Sequence, residues 1–124
     1  MGAKINAFAA LAILIGPSAV DAKETHAPVQ YSAAAYLKNF ALSVCISRGY
    51  KSDEVVKDST AAAGGYLERG SFPVEAYEEA EALAKEFLSK EYAGVHAGKF
   101  TLMKCIDLFN GKELERLTQK YSKK

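Results

Sequence analysis

The chain has 124 residues, a formal net charge of +1 and a composition that is 49% hydrophobic. These values indicate one small globular domain without the basic excess that nucleic-acid binding needs. The N-terminal apolar run "AALAILI" is too short for a membrane span of about 20 residues.

The first 22 residues have the three-part layout of a secretory signal peptide. One lysine precedes the apolar run, and "GPSAVDA" follows it, with Val20 and Ala22 at the positions that a signal peptidase recognises. We therefore predict that residues 1–22 are a signal peptide cleaved after Ala22, and that residues 23–124 are exported as a single domain. The alternatives are a buried N-terminal helix and a membrane anchor.

The exported chain contains two cysteines, Cys45 and Cys105. An even number of cysteines in an exported chain favours a disulfide, which at this separation stabilises the fold by about 4 kcal/mol on the chain-entropy account. A reactive thiol is the competing interpretation, but neither cysteine has a histidine beside it in the sequence.

Two helices are predicted before residue 71. Ser32 can cap the first helix, which runs to about Arg48 and ends at Gly49. Ser52 can cap the second helix, which Gly70 closes. The predicted inner stripe of the first helix is Leu37, Phe40, Ala41, Val44 and Cys45.

The second helix contains an unusual segment, "AAAGGYLERG", at residues 61–70. An internal glycine costs a helix about 1 kcal/mol relative to alanine. Either the helix stops at Gly64 and Gly65, or another segment comes very close to the backbone there. The small-residue patch Ala61 to Gly65 could let another helix of the same chain pack closely, or it could receive a helix or loop of a second chain, with Tyr66 as an interface anchor.

Three further helices are predicted after Gly70. Pro73 lies in the first turn of the third helix, and a glycine-flanked loop separates the third from the fourth. Asn110 and Glu113 have the spacing of a capping box for a short fifth helix. The predicted inner residues are Tyr77, Ala80, Ala84, Phe87 and Leu88, then Leu102, Cys105, Ile106 and Phe109, then Leu114, Leu117 and Tyr121.

No segment alternates between apolar and polar residues with a period of two. We therefore predict an all-α fold, a small helical bundle of about five helices with one disulfide that joins the first helix to the fourth.

The sequence lacks the usual patterns of catalysis and metal binding. His26 lies in a predicted flexible arm and His96 in the glycine-flanked loop, and neither has a partner at a diagnostic spacing. No CxxC or HxxxH pair, haem motif or phosphate-binding loop is present. We expect no enzyme activity, no cofactor and no metal; the alternative is an enzyme with Cys45 or Cys105 as nucleophile and His96 as base.

The third helix begins with a run of acidic residues. Glu75, Glu78, Glu79 and Glu81 all precede its first lysine, Lys85. Carboxylates suit the positive end of a helix, so one interpretation is a solvated face. The other is an acidic docking strip for a partner.

Four segments together resemble one protein family. They are "YLKNFALSVC" at 36–45, "AAAGGYLERG" at 61–70, "PVEAY" at 73–77 and "TLMKCID" at 101–107. Over roughly residues 31–121, the chain is similar to the fourth family of type VI secretion amidase immunity proteins.

This resemblance implies a periplasmic, non-catalytic, all-helical protein. Members of the family bind a peptidoglycan amidase that the type VI secretion apparatus delivers, a toxin that resembles NlpC/P60-type cysteine peptidases. They block its substrate cleft and so protect the producing cell and its siblings. They are homodimers that engage two toxin molecules in a heterotetramer, and their paired cysteines map onto Cys45 and Cys105.

We predict that the partner contacts lie at the end of the second helix and the start of the third. The residues are Gly64, Gly65, Tyr66, Glu68, Glu75, Tyr77, Glu78 and Glu79. Their acids could meet a basic rim of the toxin's cleft and accelerate association. The alternative function is a periplasmic helical inhibitor or adaptor of another cell-wall hydrolase.

Overall fold

A computed structural model describes residues 2–3, 11–17, 23–94 and 97–123. Within these ranges the fold consists of five helices and no strands, so the all-α prediction is confirmed. The predicted cleavage positions, residues 20 and 22, lie outside the described residues, as does His96. No helix in the described ranges is long and apolar enough to cross a membrane. The helices are α1 (Ala33–Gly49), α2 (Asp53–Arg69), α3 (Val74–Ser89), α4 (Thr101–Asn110) and α5 (Lys112–Ser122).

The first helix, α1, lies at the centre of the bundle and packs against each of the other four helices. Ser32 caps it as predicted, because its hydroxyl oxygen accepts a hydrogen bond from the backbone N–H of Ala35. Every residue of the predicted inner stripe is buried. The apolar spacing of α1 therefore defines the core of the fold.

The second helix, α2, is an edge helix that packs chiefly on α1. It continues through Gly64 and Gly65 without a break, so the interpretation that the helix stops there is wrong. Of its 17 residues, Ser59 and Ala63 alone are buried. Most of the α2 surface is consequently left for solvent or for another molecule.

The third helix, α3, begins directly after Pro73, which occupies the N-cap position. Its predicted inner residues are confirmed, with Leu88 partly buried against the core and the others buried. α3 packs against α1, α4 and α5, so it closes the bundle on the side where α2 is absent.

The predicted disulfide is confirmed. It joins Cys45 of α1 to Cys105 of α4, whose Cα atoms are 5.6 Å apart, and both residues are fully buried. The predicted inner face of α4 is partly wrong, because Leu102 and Ile106 are 50% and 46% exposed. Cys105 and Leu108 form the buried line of this helix, and residues 102 and 106 are turned roughly 90° or more away from it.

The predicted capping box at the start of α5 is also wrong. Asn110 is the last residue of α4, and its side-chain amide donates a hydrogen bond to the carbonyl oxygen of Ile106 at 3.0 Å. Gly111 takes the N-cap position of α5 instead. The inner residues of α5 are confirmed, since Leu114, Leu117 and Tyr121 are all buried.

Candidate partner-binding surface

The outer side of α2 carries the two internal glycines. Gly64 is exposed and Gly65 is half-buried. A Cβ atom added to either would meet no described atom within 4 Å beyond the neighbouring backbone of its own helix. No described helix of the same chain packs closely on the two glycines, whereas Ala63 of the same small-residue patch is buried where α2 packs on α1.

Tyr66 lies beside this open backbone in a cluster of three tyrosines. Its ring is 6.3 Å from that of Tyr31 and 6.4 Å from that of Tyr36, and the rings of Tyr31 and Tyr36 are 5.6 Å apart, all measured between centroids. Tyr36 is buried, whereas Tyr66 is half-buried. The cluster holds Tyr66 in place, so a partner would meet a preformed aromatic surface next to Gly65.

Tyr77 lies in the core and is 3% exposed. Its ring packs edge-on against that of Phe40, with the centroids 5.0 Å apart, and its hydroxyl reaches Gly70 at the end of α2. Burial raises the pKa of this hydroxyl, which has no hydrogen-bond partner in the described part of the chain. Because the side chain does not reach the surface, the prediction that Tyr77 contacts a partner is corrected.

The acidic residues of α3 differ in their exposure and in their partners. Glu78 and Glu75 are exposed. Glu79 turns toward α5, where its carboxylate accepts hydrogen bonds from Lys120 Nζ at 2.8 and 3.0 Å and from the Tyr121 hydroxyl at 2.6 Å. Glu79 is thus engaged within the chain, and it also lines a groove of about 400 Å³ between α3 and α5.

These contacts of Glu79 change the titration of its partners. The hydrogen bond to Glu79 is the main cause that raises the pKa of Lys120 and that of Tyr121. Glu81 is engaged in the same way at the far side of α3, where it accepts a hydrogen bond from Arg48. Of the four acids at the start of α3, Glu75 and Glu78 are therefore the exposed ones.

Two exposed apolar residues belong to the same part of the molecule and are missing from the sequence-based set. Leu67 in α2 is 41% exposed and Val74 at the start of α3 is 57% exposed. Leu67 follows Gly64 by three residues, so helical spacing could have placed it on the glycine side of α2. We call Gly64, Gly65, Tyr66, Leu67, Glu68, Val74, Glu75 and Glu78 the α2–α3 edge.

A second apolar surface lies on α4. Leu102, Met103 and Ile106 are each about half exposed, and we call them the α4 apolar face. The sequence-based assignment missed this surface because Leu102 and Ile106 share the spacing of Cys105 closely enough to be placed inside. If Leu108 is taken as the inward residue together with Cys105, helical spacing places Leu102 and Ile106 on the outward side.

The chemistry of the described residues does not supply a nucleophile of the kind that the enzyme alternative requires. Cys45 and Cys105 are bonded to each other, so neither sulfur is a thiol. Within the described ranges no three His, Cys, Asp or Glu side chains come together in a way that could hold a metal ion.

Comparison with known families gives the decisive finding. The sequence model of the type VI secretion system amidase immunity proteins, Tai4, matches residues 35–118. The chain belongs to this family. The resemblance drawn from its sequence motifs is thereby confirmed. A comparison with curated proteins finds no match.

Chains in two solved structures of Tae4–Tai4 systems are similar to this chain. A chain in the structure of the effector–immunity system Tae4/Tai4 from Salmonella typhimurium is 42% identical, with a TM-score of 0.69 over 73% of this chain and 90% of that one. In the complex of Salmonella typhimurium Tae4 with Enterobacter cloacae Tai4, the matched chain is 23% identical, with a TM-score of 0.66 over 76% and 99%.

A third match comes from a structure described as new type VI-secreted toxins and self-resistance proteins in Serratia marcescens. It is 21% identical, with a TM-score of 0.66 over 80% of this chain and 88% of that one. At this identity, as for the Enterobacter cloacae complex, the likeness shows the fold alone.

Proposed function

We propose that this immunity protein binds and inhibits a cognate peptidoglycan amidase secreted by a type VI apparatus, and that it catalyses no reaction itself. The observation that carries the proposal is the 42% identity, over 90% of the matched chain, to a chain of the Tae4/Tai4 effector–immunity structure. The joined cysteines support the non-catalytic part, because they remove the thiol that a nucleophilic mechanism would use.

The inhibition is steric in this proposal. The amidase is an NlpC/P60-type cysteine peptidase, and the α2–α3 edge enters its substrate cleft and excludes peptidoglycan. The open backbone at Gly64 and Gly65 supports this assignment, since a glycine surface lets another chain approach more closely than any side chain would. Tyr66 and Leu67 supply apolar contact area beside it.

The exposed acids of this edge add electrostatic attraction. Glu68 of α2 and Glu75 and Glu78 of α3 are exposed, and the two helices follow each other along the chain. A basic rim on the amidase cleft would be attracted to them over several ångströms, which accelerates association and makes the association rate fall as salt is added.

The location follows from the partner. Residues 1–22 act as a signal peptide that is removed after Ala22, and the folded domain works in the periplasm, where peptidoglycan is cut. The buried disulfide supports this, because such bonds form and persist in oxidising compartments.

The protein forms a homodimer, and two protomers hold two amidase molecules in a heterotetramer. The α4 apolar face supports a contact of this kind, since three neighbouring half-exposed large apolar residues on a ten-residue helix are typical of an interaction site. Ile106→Asp is expected to give a monomer in analytical ultracentrifugation. Gln119→Asp, at an exposed position of α5, is the control and leaves the dimer intact. An unchanged dimer in Ile106→Asp would place the protomer contact elsewhere.

The contact surface is tested by calorimetric titration with the cognate amidase, which co-purification identifies. Gly65→Arg and Glu78→Lys are expected to weaken binding at least about tenfold, by steric intrusion and by charge reversal. Glu86→Lys, a charge reversal elsewhere on α3, is the matched control and keeps the affinity. If both test variants bind as tightly as the parent chain, the α2–α3 edge is not the contact surface. If the parent chain does not bind the amidase at all, the proposed function itself fails.

A further inference from the structure

The fourth helix buries a smaller share of its residues than α3 or α5 does. Of its ten residues, Cys105 and Leu108 are buried, whereas the eleven residues of α5 include four buried ones. No side chain caps the first turn of α4. The residue before it, Phe100, has a left-handed backbone with φ of 52°, which is an unfavourable conformation for a bulky side chain.

The disulfide adds a covalent anchor to the packing of α4. It joins the middle of α4 to α1, which is the helix that the rest of the bundle surrounds. Both cysteines are fully buried, so a thiol reagent cannot reach either sulfur until the contact between α4 and α1 opens. Any reduction of the native chain must therefore begin with a movement of the protein.

The other helices have anchors that do not involve α4. Phe40 of α1 packs against Tyr77 of α3, and α5 inserts Leu114 and Leu117 into the core. α5 is also tied to α3 by the hydrogen bonds that Glu79 accepts. A chain in which α4 has separated from α1 would retain these interactions, which join helices that precede and follow α4 in the sequence.

We propose that the disulfide is a redox-sensitive switch that controls the attachment of α4 alone. A dithiol reductant breaks the Sγ–Sγ bond and becomes a cyclic disulfide, while each cysteine sulfur takes up one proton and becomes a thiol. In the reduced chain α4 leaves α1, and α1, α2, α3 and α5 stay folded. The complete five-helix shape then exists in the oxidised chain only, whatever partner the protein binds.

The first test is the rate at which dithiothreitol reduces the oxidised chain, followed by alkylation and mass spectrometry. Leu108→Ala and Leu114→Ala form a matched pair, because both leucines are fully buried and they differ in the helix that carries them. Local opening predicts that Leu108→Ala accelerates reduction at least about tenfold without urea, whereas Leu114→Ala does not. Equal acceleration in both variants would show that reduction needs global unfolding and would overturn the proposal. Leu108→Val and Leu114→Val replace the pair if the alanine variants do not fold.

The second test is amide hydrogen exchange of the fully reduced chain and of the double variant Cys45→Ala, Cys105→Ala. The proposal predicts that residues 101–110 lose protection at least about a hundredfold, while residues 33–49 and 74–89 remain protected. Protection retained in α4, or lost equally in all five helices, would overturn it. The result does not depend on amidase binding, so it is separate from the test of the proposed function.

Discussion

Tyr77 presents a hydroxyl to the core without giving it a hydrogen-bond partner among the described residues. A buried hydroxyl in that state costs free energy, so its removal relieves a penalty. Tyr77→Phe is expected to leave the free energy of unfolding unchanged or to raise it by about 1 kcal/mol in urea denaturation. A loss of stability of similar size would mean that the hydroxyl has a partner after all.

The Tyr77 side chain fills the space that a side chain at residue 70 would need. A Cβ atom at residue 70 would lie 1.5 Å from the Tyr77 hydroxyl oxygen and 2.7 Å from the ring carbon that carries it. The φ of Gly70 is −70°, so the need for glycine is steric and not conformational. Gly70→Ala is expected to lower the free energy of unfolding by about 2 kcal/mol or more.

The coupling of this pair is measured by a double-mutant cycle. Gly70→Ala should cost less in the Tyr77→Phe background, because the closest clashing atom is gone there. The ring carbon still lies within contact distance, so the rescue is partial. An equal cost in both backgrounds would contradict the steric explanation.

Tyr121 makes the stability sensitive to alkaline pH. Its hydrogen bond to Glu79 is the first cause that raises its pKa above the ordinary value of 10.0. The folded state therefore holds this proton more tightly than the unfolded state, so the stabilisation is complete below about pH 10 and is lost as the pH rises through the pKa of the folded state. Lys120 shares Glu79 and has a raised pKa as well, so its contribution has the same sign.

Thermal melts between pH 9 and pH 12 measure this effect. The parent chain is expected to lose more stability over that range than Tyr121→Phe, which has no proton to release at this position. Parallel curves for the two proteins would show that the hydrogen bond to Glu79 does not stabilise the fold.

At the scale of the helices, α2 retains two residues that its own fold does not require. Gly64→Ala and Gly65→Ala meet no described atom within 4 Å, so each is expected to raise the free energy of unfolding by up to about 1 kcal/mol. The same variants should weaken amidase binding, because the added methyl groups stand between the two backbones. Gln119→Ala on α5 is the control and keeps the affinity.

This pair of outcomes separates recognition from folding. A rise in stability with unchanged affinity would mean that the glycines do not contact the amidase. A fall in stability would mean that they serve the fold, contrary to the open space that the structure shows around them.

Helical periodicity predicts the inner residues of α3 and α5 well because their apolar residues lie mainly on one side. In α1 it finds the buried stripe, although this central helix packs against all four of the others. Periodicity is insufficient for α4, where apolar residues surround the helix and the spacing fits more than one inward direction. The capping motif at Asn110 is misleading because the single residue Gly111 separates α4 from α5, so Asn110 still belongs to the earlier helix. The glycine pair does not end α2, because packing on α1 outweighs local propensity.

The whole molecule shows why the partner surface is harder to predict than the fold. Exposure at Gly64, Glu68 and Glu78 agrees with their sequence-based selection. Tyr77 and Glu79 depend on contacts between helices, with Phe40 and Lys120 respectively, and local sequence does not contain those contacts. Tyr77 also has the inner-face spacing of α3, and the structure confirms that role over a surface role.

The most direct measurement is peptidoglycan digestion by the cognate amidase while this protein is titrated in. We expect amidase activity to fall to background once the immunity protein reaches the amidase concentration, and we expect no digestion by the immunity protein alone. An amidase that stays active in the presence of excess immunity protein, or muropeptides released by the immunity protein without the amidase, would contradict inhibition by a non-catalytic helical surface.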